Sequence, residues 1–266
     1  MIHSQSIQTE ETRMHIAIVG FGKMGKQLHE AAITSGHEVV SIIDPHATDS
    51  RVTHHTLTRQ ALSGVDVAIE FSVADGIEER MKLYCDTSTP AVIATTGWYD
   101  KLNALKALYS RPECAIIWSG NFSIGVQLYF AIVRKAASLM NRFPEYDSLV
   151  QEWFHAAKAD SPSGTAVMLG NILTQQLDGK TTLETARLDR KREQSEIHVS
   201  SVRGGYTPGV HTVLFDSPVD TIELSHTARS REGFVTGALK AATWITAQKH
   251  GFFSIDDMLD DLLGSN

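Results

Sequence analysis

Apolar positions along the first 120 or so residues fall into short clusters that alternate between two periods. Runs rich in β-branched and apolar residues at 15–19, 38–43, 65–71, 91–94 and 115–118 predict buried strands, and the stretches between them at 27–34, 77–84 and 101–110 predict helices. Such alternation, with strands apolar on both faces, predicts a doubly wound parallel sheet rather than a sandwich or bundle. The first β-α-β unit has about thirty residues, the size of a parallel crossover.

The pattern changes after Asn121. Residues 127–140 read as a helix, 148–154 as a strand, and another helix starts near Ser163. Between 197 and 224 strand-like runs are broken by Gly204, Gly205, Pro208 and Gly209, which predicts an antiparallel meander. Residues 233–249 return to helical periodicity. The expected organisation is a disordered lead-in over 1–13, a first domain over 14–125 completed by 233–266, and a second, α+β domain over 126–232.

Composition narrows the function classes. The chain has 266 residues, 42% of them hydrophobic, enough for one large core or two modest ones. A formal net charge of −7 argues against nucleic acid as a partner, since phosphate backbones demand a basic surface. Apolar runs such as 166–169 fall far short of the roughly 18 residues that cross a bilayer, so no membrane partner is expected. The first residues carry no apolar stretch of signal-peptide type. Cys85 and Cys114 lack CxxC spacing, so neither a disulfide framework nor a zinc site is expected, and no other metal site is read. A cytoplasmic location follows as the expectation.

Chemistry enters with Gly20-Phe21-Gly22-Lys23-Met24-Gly25, which follows the first strand and opens the first helix. Glycines at these spacings allow a tight turn, close approach of backbone to a pyrophosphate and close packing of helix on strand. Asp44 ends the second strand about twenty residues on, where a carboxylate can bind the adenosine ribose hydroxyls. The fold class is thus α/β, a Rossmann-type doubly wound parallel sheet with a second α+β domain, and the cofactor is NADH or NADPH. Asp44 repels a 2′-phosphate and Pro45, His46 and Ala47 supply no arginine, so NADH is favoured, although Lys23 and Arg51 could attract a phosphate.

The segment from Glu152 to Ala166 carries the second constellation. Pro162 and Ser163 read as a helix start, with the amides of Ser163, Gly164 and Thr165 pointing outward at the positive end of the helix dipole. Lys158 adds a fixed cation and His155 a titratable donor, together enough to hold a small dicarboxylate substrate.

The residues from Ile16 to about Met258 resemble the 4-hydroxy-tetrahydrodipicolinate reductase (dihydrodipicolinate reductase) family. The similarity is carried by Gly20 to Gly25, Glu70-Phe71-Ser72, Thr95-Thr96-Gly97, Asn121-Phe122-Ser123-Ile124-Gly125, Lys158 with Pro162-Ser163-Gly164-Thr165, Arg203-Gly204-Gly205, Gly209 with His211, Phe215, and Ser230, Arg231 and Phe234. The resemblance implies that Phe71, Ser72, Thr95, Thr96 and Gly97 line the nicotinamide groove. Asn121, Phe122 and Ser123 would lie at the domain junction beside the cofactor, with Arg231 and Phe234 also on the cofactor side. His155 and Lys158 would act on substrate, Ser163, Gly164 and Thr165 would bind one of its carboxylates, and the chain would form a homotetramer through sheets of the second domain.

The family pattern has two adjacent histidines before the lysine, the first a general acid. That first position is Phe154 here. Losing general acid catalysis typically costs 10²- to 10⁴-fold. Two further readings therefore accompany the reductase: a same-fold reductase of another small imine or unsaturated carboxylate, and a non-catalytic dinucleotide-binding sensor. Gly120 and Glu70 also depart from the family's more usual alanine and aspartate.

Overall fold

A computed structural model describes residues 13–247 and 250–264. Residues 1–12 of the expected lead-in, and Gln248 and Lys249 of the last expected helix, lie outside the described residues. The chain divides into two compact units, one comprising 13–122 with the described residues from 235 onward, the other Ser123–Phe234.

The first unit is built on a six-stranded sheet. In chain order its strands are β1 (His15–Val19), β2 (Glu38–Ile43), β3 (Val67–Glu70), β4 (Ala91–Ile93), β5 (Ala115–Trp118) and β11 (Gly251–Ser254), arranged β11-β5-β4-β3-β1-β2. Every pairing is parallel. Helices α1 (Lys23–Thr34), α2 (Ile77–Asp86) and α3 (Leu102–Tyr109) connect successive strands, and α6 (Glu232–Ala247) and α7 (Ile255–Leu263) follow near the end of the chain. Ile16, Ile18, Val67, Ile69, Val92, Ile93, Ile116 and Ile117 are fully buried, which explains why these strands read as apolar runs and not as alternating patterns. The strand order reverses between β1 and β3. In open α/β sheets, ligands bind at such a reversal, beyond the carboxyl ends of the strands.

Strand β11 was not legible in the sequence pattern, because four residues are too few to carry a usable period. Helix α7 is specified locally: Ser254 and Asp257 form a reciprocal capping box and Gly264 closes the last turn in the left-handed region.

The expectation of unpaired cysteines is corrected. Cys85, near the end of α2, and Cys114, just before β5, form a disulfide across a separation of 29 residues. Both lie in the apolar core, where the packing of α2 beside β5 brings them together, a proximity that local CxxC spacing cannot reveal. Cysteine usage therefore gives no argument for a reducing compartment.

The second unit has a five-stranded mixed sheet of β6 (Asp147–Phe154), β7 (Thr182–Glu184), β8 (Glu196–Arg203), β9 (Val210–Asp216) and β10 (Thr221–Thr227), in the order β10-β9-β6-β8-β7. The expected meander holds only for β9 and β10, which pair antiparallel with each other, while β9 also pairs antiparallel with β6. Strands β6 and β8 are parallel, because α5 (Gly164–Gln176) carries the chain back across the sheet between them. Helices α4 (Ile124–Met140) and α5 cover one face through Val133, Ala137, Leu169 and Leu173, packed against Val150, Val199, Val213 and Phe215. The other face presents Leu149, Gln151, Trp153, Ser200, Val202 and Thr212, half-buried or exposed. Among the described residues no helix is long and apolar enough to cross a membrane.

Candidate active site

The nucleotide turn forms where β1 meets α1. Gly20 has φ +92°, and a Cβ built on it would lie 2.5 Å from the carbonyl oxygen of Phe71. At Gly25 a Cβ would fall 2.1 Å from the carbonyl oxygen of Gly20, so only glycine lets helix, turn and the end of β3 close up. Around Gly22 nothing lies within 4 Å. That turn therefore offers open backbone at the start of a helix whose N-cap makes no side-chain hydrogen bond. Lys23 is exposed, Met24 half-buried.

Asp44, at the end of β2, is fixed by the backbone. The Phe21 N–H donates to Oδ2 at 2.7 Å, and the His46 and Ala47 N–H groups donate to Oδ1, both at 2.8 Å. Partial burial opposes its ionisation, but these backbone donors outweigh it and hold the carboxyl below its ordinary pKa. Oδ2, with a single such donor, can accept from a hydroxyl as well.

Glu70 organises the far side of the turn. Its fully buried carboxylate accepts from Ser72 Oγ at 2.8 Å, Thr95 Oγ1 at 3.1 Å, Arg80 Nε at 3.0 Å and Tyr84 OH at 2.7 Å. Burial, and then the negative charge of Glu70, push the Tyr84 hydroxyl well above its usual pKa, so it stays a donor. Glutamate in place of the family's more usual aspartate gives the reach that spans Arg80 and Tyr84 together. Arg80 also donates to the carbonyls of Val73 and Asp75, clamping the loop after β3.

Thr95 departs from its expected part in the groove: it is buried, and its hydroxyl is engaged by Glu70 and by the Ser72 N–H. Thr96 and Gly97 are exposed, and Phe71 and Ser72 are half-buried. Phe122 is fully buried, its carbonyl pressed so close to Gly237 of α6 that a Cβ there would lie 1.7 Å away. Its side chain is part of the core. Ser119 Oγ donates to the Asn121 carbonyl and accepts from its N–H, which fixes Asn121 after β5. Gly120 also has a structural reason: an alanine Cβ would lie 2.7 Å from the hydroxyl of Tyr99.

The second unit holds a constellation of its own. Lys158 Nζ pairs with Asp160 Oδ1 at 2.6 Å and lies 4.6 Å from the centre of the Phe154 ring. The backbone N–H of His155 donates to the Thr207 carbonyl, and its ring is half-buried. Ser163 corrects the expected cradle. It is buried, its N–H donates to Glu152 Oε1 at 3.0 Å, and its Oγ accepts from Ala166 N–H and meets His211 Nε2 at 3.1 Å. The reason is an internal anion: Glu152 already occupies the amide of the N-cap residue before α5. Gly164, exposed, and Thr165, half-buried, are the amide positions on the accessible side. Ser123 is buried, Phe234 half-buried and Arg231 exposed.

Glu152, Arg203 and His211 carry roles that sequence reasoning missed. Arg203 Nη2 bonds Glu152 Oε1 at 2.6 Å and the Asp160 carbonyl at 2.6 Å, and Ser201 Oγ adds a bond at 2.8 Å. Burial would raise the Glu152 pKa, yet the adjacent His211, 3.6 Å from Oε2, and hydrogen bonds from Ser163, Arg203 and Ser201 hold it well below the carboxylate range. The available signal was alternation on β6, which places an acid at an inward position between Val150 and Phe154.

The family model for the dihydrodipicolinate reductase N-terminus matches residues 14–122, and that for the C-terminus matches 125–259. A 4-hydroxy-tetrahydrodipicolinate reductase of Christiangramia forsetii is 34% identical over 249 residues, covering 94% of this chain and 99% of the relative. One of Archaeoglobus fulgidus is 33% identical, covering 93% of this chain and 100% of the relative. In fold, a dipicolinate-bound dihydrodipicolinate reductase of a Paenisporosarcina species superposes with TM-score 0.72 at 22% identity, over 91% of this chain and 98% of that one. Matched over nearly its whole length in both halves, the chain belongs to the dihydrodipicolinate reductase family.

Proposed function

We propose that the chain reduces 4-hydroxy-tetrahydrodipicolinate to tetrahydrodipicolinate with a pyridine nucleotide, a step of lysine and diaminopimelate biosynthesis. The observation that carries this reading is the glycine turn at the sheet's reversal point, where Gly20 and Gly25 admit only backbone and Asp44 is held ionised by amides. Those residues fit a nicotinamide dinucleotide, which when bound supplies the hydride. Gly20 to Gly25 hold the pyrophosphate, Asp44 the adenosine ribose, and Phe71, Ser72, Thr96 and Gly97 border the nicotinamide. In the second unit Lys158, with the amides of Gly164 and Thr165, holds the substrate's carboxylates, and His155 orients it. Steady-state NADH oxidation with freshly generated substrate tests the reading. Binding of NADH without turnover would instead assign a sensor.

A second reading is favoured by one observation. Phe154 places an apolar ring among Lys158, Arg203 and His211, where the family pattern has a proton donor. A same-fold reductase of another small unsaturated carboxylate would use that ring as a pocket wall. Activity on a panel of cyclic imines and unsaturated dicarboxylates separates the two.

Asp44 disfavours a 2′-phosphate, so NADH is expected to bind at least as tightly as NADPH, a comparison made by calorimetry. The uncovered face of the second sheet, with Leu149, Trp153 and Val202, suits association into a homotetramer, tested by light scattering. A biosynthetic reductase of this kind would work in the cytoplasm.

A further inference from the structure

We propose that Asp49 decides between the two nicotinamide dinucleotides, holding Lys26 and Arg51 as an internal anion that a 2′-phosphate would have to displace. The proposal rests on the reading of residues 20–25 as a dinucleotide turn. Arg51 Nε and Nη2 each lie 2.9 Å from an oxygen of Asp49, a two-pronged pair, and Lys26 Nζ lies 3.0 Å from Oδ2. The Arg51 N–H donates to the same carboxylate at 3.2 Å. The anion lies beneath and the cations outside: the Asp49 side chain is 17% exposed, against 46% for Lys26 and 38% for Arg51.

Phe21 places this group at the nucleotide site. Its N–H is the donor to Asp44, and its buried ring has the Arg51 guanidinium 4.9 Å from its centre and Lys26 Nζ at 5.9 Å. One residue of the glycine turn therefore touches both the carboxylate suited to the ribose and the cation pair. A phosphate monoester carries about −1.5 to −2 charge at neutral pH, and its oxygens match the arginine fork. Lys26 and Arg51 would be its natural partners, but Asp49 already satisfies both, and with Asp44 the four side chains sum to zero charge. A bound 2′-phosphate gains only the difference between itself and Asp49, against repulsion from Asp44. Two hydroxyls on the ribose require no such exchange. In Asp49→Asn the same four positions carry net +1, and stacking on Phe21 keeps the guanidinium in place.

The test measures calorimetric Kd for NADH and NADPH on the wild-type chain, Asp49→Asn, Arg51→Ala and the double variant, with thermal melts beside them. Asp49→Asn is expected to shift the NADPH-to-NADH affinity ratio toward NADPH by tenfold or more, and Arg51→Ala in that background to remove the gain. In the wild-type background, Arg51→Ala should change NADPH affinity by less than about threefold, since Asp49 already occupies that guanidinium. An unchanged ratio in Asp49→Asn, a gain that persists in the double variant, or a large loss from Arg51→Ala alone would each overturn the proposal. If Asp49→Asn fails to fold, the Arg51→Ala arm decides. A wild-type chain that binds neither dinucleotide defeats the site reading itself, an outcome distinct from binding both with an unmoved ratio.

Discussion

The Phe154 ring meets the His211 imidazole edge to face, with centroids 5.3 Å apart and planes at 75°. The same phenyl lies 4.6 Å from Lys158 Nζ and 5.4 Å from the Arg203 guanidinium. An imidazole placed there would sit between two cations, which disfavour its charged form. Phe154→His nevertheless restores a proton donor at that position and is expected to raise kcat on 4-hydroxy-tetrahydrodipicolinate by about tenfold, measured below the imidazole's pKa. The alkaline limb that this imidazole adds to the pH profile should fall below the ordinary histidine value of about 6.5, since a general acid is lost as it deprotonates. Circular dichroism must accompany the kinetics, because the ring also fills the space facing Gly209, where a Cβ would lie 2.7 Å from the phenyl. A folded variant with no gain assigns the proton to another group or the chain to another substrate.

Lys158→Ala should lower kcat/KM by about a hundredfold, the worth of one to two charge-assisted hydrogen bonds to a carboxylate. NADH affinity should stay within about twofold, because Lys158 belongs to the second unit. Wild-type kcat/KM in the variant would make Lys158 a surface partner of Asp160 and nothing more.

Glu152 makes acid stability measurable. Its folded pKa is depressed, so its contribution is fully present above the unfolded carboxylate value of about 4.3 and is lost as pH falls toward the folded value. Urea midpoints measured from pH 7 downward should drop below about pH 5. Glu152→Gln should cost about 3 kcal/mol at pH 7 by leaving Arg203 without its buried partner, and should flatten that drop. Parallel pH curves for variant and wild type would show that Glu152 is not the titrating group.

Arg80→Ala should raise the KM for cofactor about tenfold while changing kcat less, because it frees the carbonyls of Val73 and Asp75 and leaves Glu70 without a counter-ion. Arg80→Lys, which keeps the charge but not the three-way fork, should fall between. Equal losses in kcat and kcat/KM would place Arg80 outside cofactor positioning.

Much of the first unit was legible from local chemistry. Strands β1 and β2 begin and end where apolar runs and turn residues place them, and the spacing of Gly20 and Gly25 already names positions where backbone must approach backbone. The start of α5 at Gly164 was likewise legible, because a capping serine and the proline before it lie within one short segment. Tertiary structure decided the rest. Glu152 finds Ser163, Ser201 and Arg203 across separations of 11, 49 and 51 residues, and its capture of the Ser163 amide turned an expected substrate contact into an internal one. Cys85 met Cys114, and β11 joined β5, by the same kind of remote packing. Apolar period and turn chemistry are properties of neighbours along the chain, whereas a hydrogen bond or ion pair exists only when two groups come within about 3 Å in the right direction. Only the packed fold sets that distance for residues far apart in sequence.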